Sequence, residues 1–93
     1  MPTLRSLLFA PANHPRHVEK ALTGAADGAI LDLEDAVAVA EKPEARQAAR
    51  RALDARGSSS GPLAFVRINA LTTPFAYDDV RAVVGPGLDG VIV

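Results

Sequence analysis

Gly28-Ala29-Ile30-Leu31-Asp32-Leu33, followed at once by Glu34-Asp35, is the stretch on which the fold turns. An apolar run of this kind, without polar alternation, suits a strand buried on both faces of a parallel sheet. It stops in charge, at Asp32, Glu34 and Asp35. Upstream, Ser6-Leu7-Leu8-Phe9-Ala10 is a similar run closed by Pro11, and reads as a first strand equally buried on both faces. Downstream, Leu63-Ala64-Phe65-Val66-Arg67-Ile68-Asn69 and Asp89-Gly90-Val91-Ile92-Val93 supply a third and a fourth.

The segments between these runs carry helical spacing. From His14 to Thr23, Val18, Ala21 and Leu22, with Ala25 beyond, form one stripe; Pro15 suits the first turn and Asn13 is placed to cap it. From Pro43 onward, Ala45, Ala48, Ala49, Ala52 and Leu53 recur at i, i+3, i+4, i+7 and i+8, with Gly57 as the stop. Ser58-Ser59-Ser60-Gly61-Pro62 is short enough for an ordinary loop. Asp78 to Val84 suggests a third, shorter helix.

Strands alternating with helices build β-α-β crossovers and a parallel α/β sheet. Two architectures satisfy that pattern: an open doubly wound sheet and part of a closed (β/α)8 barrel. A complete barrel needs about 250 residues. A chain that ends on an apolar strand, without its loop or helix, is therefore expected to lack part of its sequence, and both architectures fit.

Composition narrows the function. The 93 residues are 48% hydrophobic and 23% charged, enough apolar material for a packed core. Aromatic residues are scarce, so that core must be assembled from Ala, Val, Leu and Ile. A net charge of -1 with no Lys/Arg run lacks the basic face that nucleic acid requires. There is no cysteine, which excludes thiol catalysis and thiolate metal sites. The apolar stretch from Leu7 to Pro11 is too short for a signal-peptide core or a membrane span, and the expected location is cytoplasmic.

In parallel α/β folds functional groups gather where strands end, because the following loops converge on one mouth. Arg16 and Lys20 lie one helical turn apart, opposite the apolar stripe. With the helix N-terminus they suit phosphate groups; as a solvated face, Arg16 would pair with Glu19. Glu34 and Asp35, with Asp32, could organise a hard divalent cation; the alternatives are a structural ion pair and an Asp35 that caps the following helix. A period of two puts Phe65, Arg67 and Asn69 on one strand face and Ala64, Val66 and Ile68 on the other. Arg67 cannot lose its charge, so inside a barrel mouth it needs a carboxylate, from strand 2 or from a substrate. His14 and His17 have no third ligand at metal spacing and read as surface residues.

Four blocks in order, Arg5-Ser6-Leu7-Leu8-Phe9-Ala10-Pro11, Ile30-Leu31-Asp32-Leu33-Glu34-Asp35-Ala36-Val37, Glu41-Lys42 with Ala45-Arg46, and Val66-Arg67-Ile68-Asn69, resemble the citrate lyase beta-subunit and malyl-CoA lyase family across the whole chain. The resemblance implies a (β/α)8 barrel lyase that makes or breaks a carbon–carbon bond in citryl-, malyl- or citramalyl-CoA, with Mg²⁺ as cofactor and an acyl-CoA as substrate, and it implies that residues 1–93 are the N-terminal part of one barrel domain, covering strands 1 to 4 and ending within the fourth. It implies that Phe9 lines the substrate pocket, that Arg16 and Lys20 meet CoA phosphates, and that Arg67 grips the substrate and acts in catalysis. Glu34 and Asp35 would sit beside the metal and act through its waters, while the direct Mg²⁺ ligands would come from beyond residue 93. The complete protein would be a homo-oligomer, and the 93 residues alone would lack activity. Ala12 departs from the family's usual glycine after the first strand, where glycine would permit a closer ligand approach. A pyruvate-type aldolase of the same superfamily and a non-catalytic interaction module are the alternatives.

Overall fold

The computed structural model describes residues 5–56 and 61–93. Its elements alternate as expected: β1 (Leu7–Pro11), α1 (Pro15–Thr23), β2 (Gly28–Asp32), a 3-10 turn (Val39–Glu41), α2 (Lys42–Arg56), β3 (Leu63–Arg67), α3 (Ala76–Val83) and β4 (Gly90–Ile92). The helix stop read at Gly57 and the loop as far as Ser60 lie outside the described residues.

The four strands form one parallel sheet in the order β1-β2-β3-β4. This order decides between the two architectures. A doubly wound sheet reverses direction after its first strands and puts helices on both faces, whereas a barrel adds each strand beside the last and keeps its helices on one face. Here Ala10, Ala29, Leu31, Ala64 and Val66 of the sheet share one core with Val18 and Ala21 of α1, Ala45, Ala49 and Leu53 of α2, and Val83 of α3. Small side chains on both sides let helix and sheet approach closely, which accounts for a core without large aromatics.

The opposite face is built by Phe9, Ile30 and Phe65 in register across three strands. Ile30 is buried between them, outside the helix-side core. Gly90 pairs with Phe65, and a Cβ there would stand 3.0 Å from the ring, so the missing side chain makes room for it. No helix among the described residues covers this face. The first strand is consequently not buried on both faces as expected: Leu7 is 48% and Phe9 52% exposed. An edge strand has a neighbour on one side only, and local hydrophobicity cannot reveal which side is empty.

Candidate active site

The C-terminal ends of the first three strands are level. Pro11 pairs with Asp32, and Asp32 with Arg67. Backbone bonds from Ala12 N–H to Asp32 O (3.0 Å), Leu33 N–H to Arg67 O (3.0 Å) and Ile68 N–H to Ile92 O (2.9 Å) carry the ladder one residue further. The loops after β1, β2 and β3 therefore leave from a common rim.

Arg67 is the centre of that rim. Its Nε donates to Asp32 Oδ1 at 3.0 Å and its Nη2 to Asp32 Oδ2 at 2.7 Å, a fork that fixes the guanidinium plane. Glu34 Oε1 lies 3.6 Å from Nε, and the Phe9 ring centroid lies 5.2 Å from the guanidinium carbon. The required carboxylate thus comes chiefly from Asp32, its register partner, with Glu34 a more distant neighbour and Asp35 exposed. Asp32 also accepts from the Glu34 N–H (2.8 Å, Oδ1) and the Ala36 N–H (3.2 Å, Oδ2).

Burial works to raise the pKa of Asp32, but the Arg67 hydrogen bonds, the two backbone N–H groups and the Arg67 charge together outweigh it and hold the carboxyl below its usual value. Arg67 is moved the other way, chiefly by its hydrogen bond to Asp32, and stays charged. What results is an oriented, permanently cationic group whose Nη1 makes no hydrogen bond among the described residues, and whose side chain is 28% exposed. Such a group can hold an anionic or developing oxygen charge in one orientation.

Several expectations need correction. Asp32 is saturated by four donors and is not free to organise a cation. Among the described residues no group of three His, Cys, Asp or Glu side chains could hold a metal ion. Glu34 and Asp35 remain as two rim carboxylates, a number that serves Mg²⁺ only with waters or further ligands completing its six oxygens. Asp35 caps nothing: the turn before α2 opens at Ala38 without a side-chain cap. Asn69 leaves the face shared by Phe65 and Arg67, because β3 ends at Arg67 and Asn69 is drawn to Asp79 of α3 (Nδ2 to Oδ2, 2.6 Å). Asn13 does not cap α1; the cap position is His14, and Asn13 Nδ2 donates instead to Glu41 at 3.0 Å.

Arg16 and Lys20 are exposed on α1, away from its buried Val18 and Ala21, and Arg16 forms no ion pair with Glu19. His14 and His17 are exposed beside them, their rings stacked with centroids 5.3 Å apart. Sequence reading missed a buried network behind the rim. Lys42 Nζ donates to the carbonyls of Leu33, Glu34 and Val37, while Asp79 joins Arg46 (2.7 Å) to Asn69. The signal was present: Lys42 stands in the first turn of a helix, where a cation opposes the macrodipole and therefore has other work.

Comparison with known proteins bears on the family and the fold. Citrate lyase subunit beta from Leuconostoc mesenteroides subsp. cremoris is 44% identical over 85 residues, 91% of this chain and 28% of that protein. L-malyl-CoA/beta-methylmalyl-CoA lyase from Rhodobacter capsulatus is 40% identical over 89 residues, 94% of this chain and 27% of that protein. The chain thus spans less than a third of the length of these relatives. The structure of CitE from Mycobacterium tuberculosis with magnesium, acetoacetate and coenzyme A matches 86% of this chain and 29% of its own, with a TM-score of 0.65 at 40% identity. A complex of CitE with magnesium and acetoacetate matches 98% of this chain and 37% of its own, with a TM-score of 0.73 at 39% identity. The four parallel strands and their helices correspond to the N-terminal part of that barrel. A family model described as HpcH/HpaI aldolase/citrate lyase matches residues 5–93, and the chain belongs to that family.

Proposed function

We propose that this chain supplies the first strands of a cytoplasmic, Mg²⁺-dependent lyase that makes or breaks a carbon–carbon bond in an acyl-CoA of the citryl-, malyl- or citramalyl-CoA type. The observation that carries this reading is Arg67, clamped by Asp32 at the rim with one edge of its guanidinium left open. A carboxylate or carbonyl oxygen of the substrate meets that edge, and the Asp32 fork keeps it aimed as charge develops on the oxygen. Phe9 forms the apolar wall against the same group.

Glu34 and Asp35 stand beside Arg67 with no cation fully matched to them. An anionic substrate next to two carboxylates calls for a compensating divalent ion. In the complete protein Mg²⁺ would supply that charge compensation, held by carboxylates outside residues 1–93. Arg16 and Lys20, exposed on the first helix, meet the phosphates of CoA. The exposed inner face, with Leu7 and Phe9, favours a second reading as an interaction module.

The test is a chimera in which residues 5–93 replace the matching segment of the Rhodobacter capsulatus lyase. Mg²⁺-dependent cleavage of L-malyl-CoA is expected, with loss of turnover in Arg67→Ala. A cooperatively folded chimera that cleaves nothing, or one indifferent to Arg67→Ala, would overturn the catalytic reading in favour of the interaction module.

A further inference from the structure

Lys42 is buried, 5% exposed, and pairs with no carboxylate among the described residues. Its three N–H donors go instead to three carbonyls of one loop: Leu33 at 2.9 Å, Glu34 at 3.1 Å and Val37 at 3.2 Å. The Phe75 ring, just before α3, lies 5.4 Å away. An ammonium at this position is costly twice over, since it is buried without a counter-ion and sits at the positive end of α2. Ordinary helix stability does not call for it. What it accomplishes is to draw the carbonyls of Leu33, Glu34 and Val37 toward one point, curling the segment that carries Glu34 and Asp35.

The same segment is held from its other side by Asp32, which accepts the N–H groups of Glu34 and Ala36. Donors of the loop are thus tied to the carboxylate that clamps Arg67, and acceptors to Lys42. A further tie runs to the loop after β3: Asn69 Nδ2 donates to Leu33 O at 3.1 Å, and Asn69 is anchored on Asp79, which also receives Arg46 Nε. Lys42 and Arg46 are four residues apart on one face of α2, so one helix face braces the loops after β2 and β3.

We infer that Lys42 is a positioning residue, which sets the place of the Glu34 and Asp35 carboxylates relative to Arg67 by gathering the carbonyls beneath them. The inference rests on the reading of the rim as catalytic, and its test separates the two. Lys42→Met keeps the stem and removes the donors; Lys42→Arg keeps charge and donors. Hydrogen exchange on the folded chimera reads the loop without reference to catalysis. In Lys42→Met the amides of Glu34 and Ala36 exchange at least about tenfold faster, while those of Ala49, Leu53 and Val66 keep their protection. In the active chimera the same change lowers kcat by roughly 10- to 100-fold, with KM for the acyl-CoA nearly constant, and Lys42→Arg recovers part of the loss. Faster exchange spread evenly through α2 and β3, or a loosened loop with unchanged kcat, would overturn the inference. An inactive parent chimera counts against the proposed function, while the exchange pattern alone then decides the role of Lys42.

Discussion

Arg67 and Asp32 behave as one unit, and their predictions follow from that. Lysine cannot reproduce a planar fork, so Arg67→Lys in the chimeric lyase is expected to lower kcat by roughly tenfold or more, about 1.4 kcal/mol of barrier for each factor of ten. Full specific activity with lower thermal stability would instead show a purely structural bridge. Because the pKa of Asp32 is depressed in the folded chain, its contribution is complete above the unfolded value of about 3.9 and is lost as pH falls through the lower native value. Wild-type stability, followed by urea unfolding, should therefore decline as pH drops below about 4. Asp32→Asn should be less stable at neutral pH by about 1–3 kcal/mol and lack this part of the decline. Parallel pH curves for the two proteins would count against the ion pair. The need of Arg67 for a carboxylate was legible from its place at a strand end. That Asp32 provides it was not, because the partner is set by strand register over a separation of thirty-five residues.

At the scale of elements, helical and strand periodicity located each segment to within a few residues, since both depend on local spacing of apolar side chains. Caps and turns were less legible. Asn13 is a good capping residue by type, yet Glu41 from a distant turn competes for its side chain. For Arg16 and Lys20, exposed on α1 with no Arg16–Glu19 bridge, the double change Arg16→Ala with Lys20→Ala should raise KM for acyl-CoA and flatten its salt dependence, with kcat nearly intact. Steady-state kinetics of the chimera at two ionic strengths provide the check. An unchanged KM would return both residues to a solvated face.

At the scale of the molecule, β1 and β4 each have one unpaired edge among the described residues, and the face away from the helices carries exposed Leu7 and Phe9. Parallel strands with open edges recruit other strands, and barrels escape this by closing on themselves. The 93-residue chain on its own is therefore expected to associate in solution and to show no Mg²⁺-dependent cleavage of malyl-CoA or citramalyl-CoA. Sedimentation and a cleavage assay test this together. A monodisperse monomer that cleaves either thioester would refute the assignment of the metal ligands to other strands.

The sequence by itself determined the alternation of strands and helices, the parallel sheet and the rim position of Arg67, Glu34 and Asp35, because each follows from spacing along the chain and from the rule that loops after parallel strands share one mouth. Its block pattern also carried the family, which the match over residues 5–93 establishes. Only the tertiary structure decided that the helices share one face, that Asp32 is spent on Arg67 rather than on a cation, and that Lys42, Asn69, Asp79 and Arg46 brace the rim from behind. Each of these depends on which distant residues become neighbours across a sheet or between a helix and a loop, and polar side chains choose among such neighbours only once the backbone has brought them within hydrogen-bond reach.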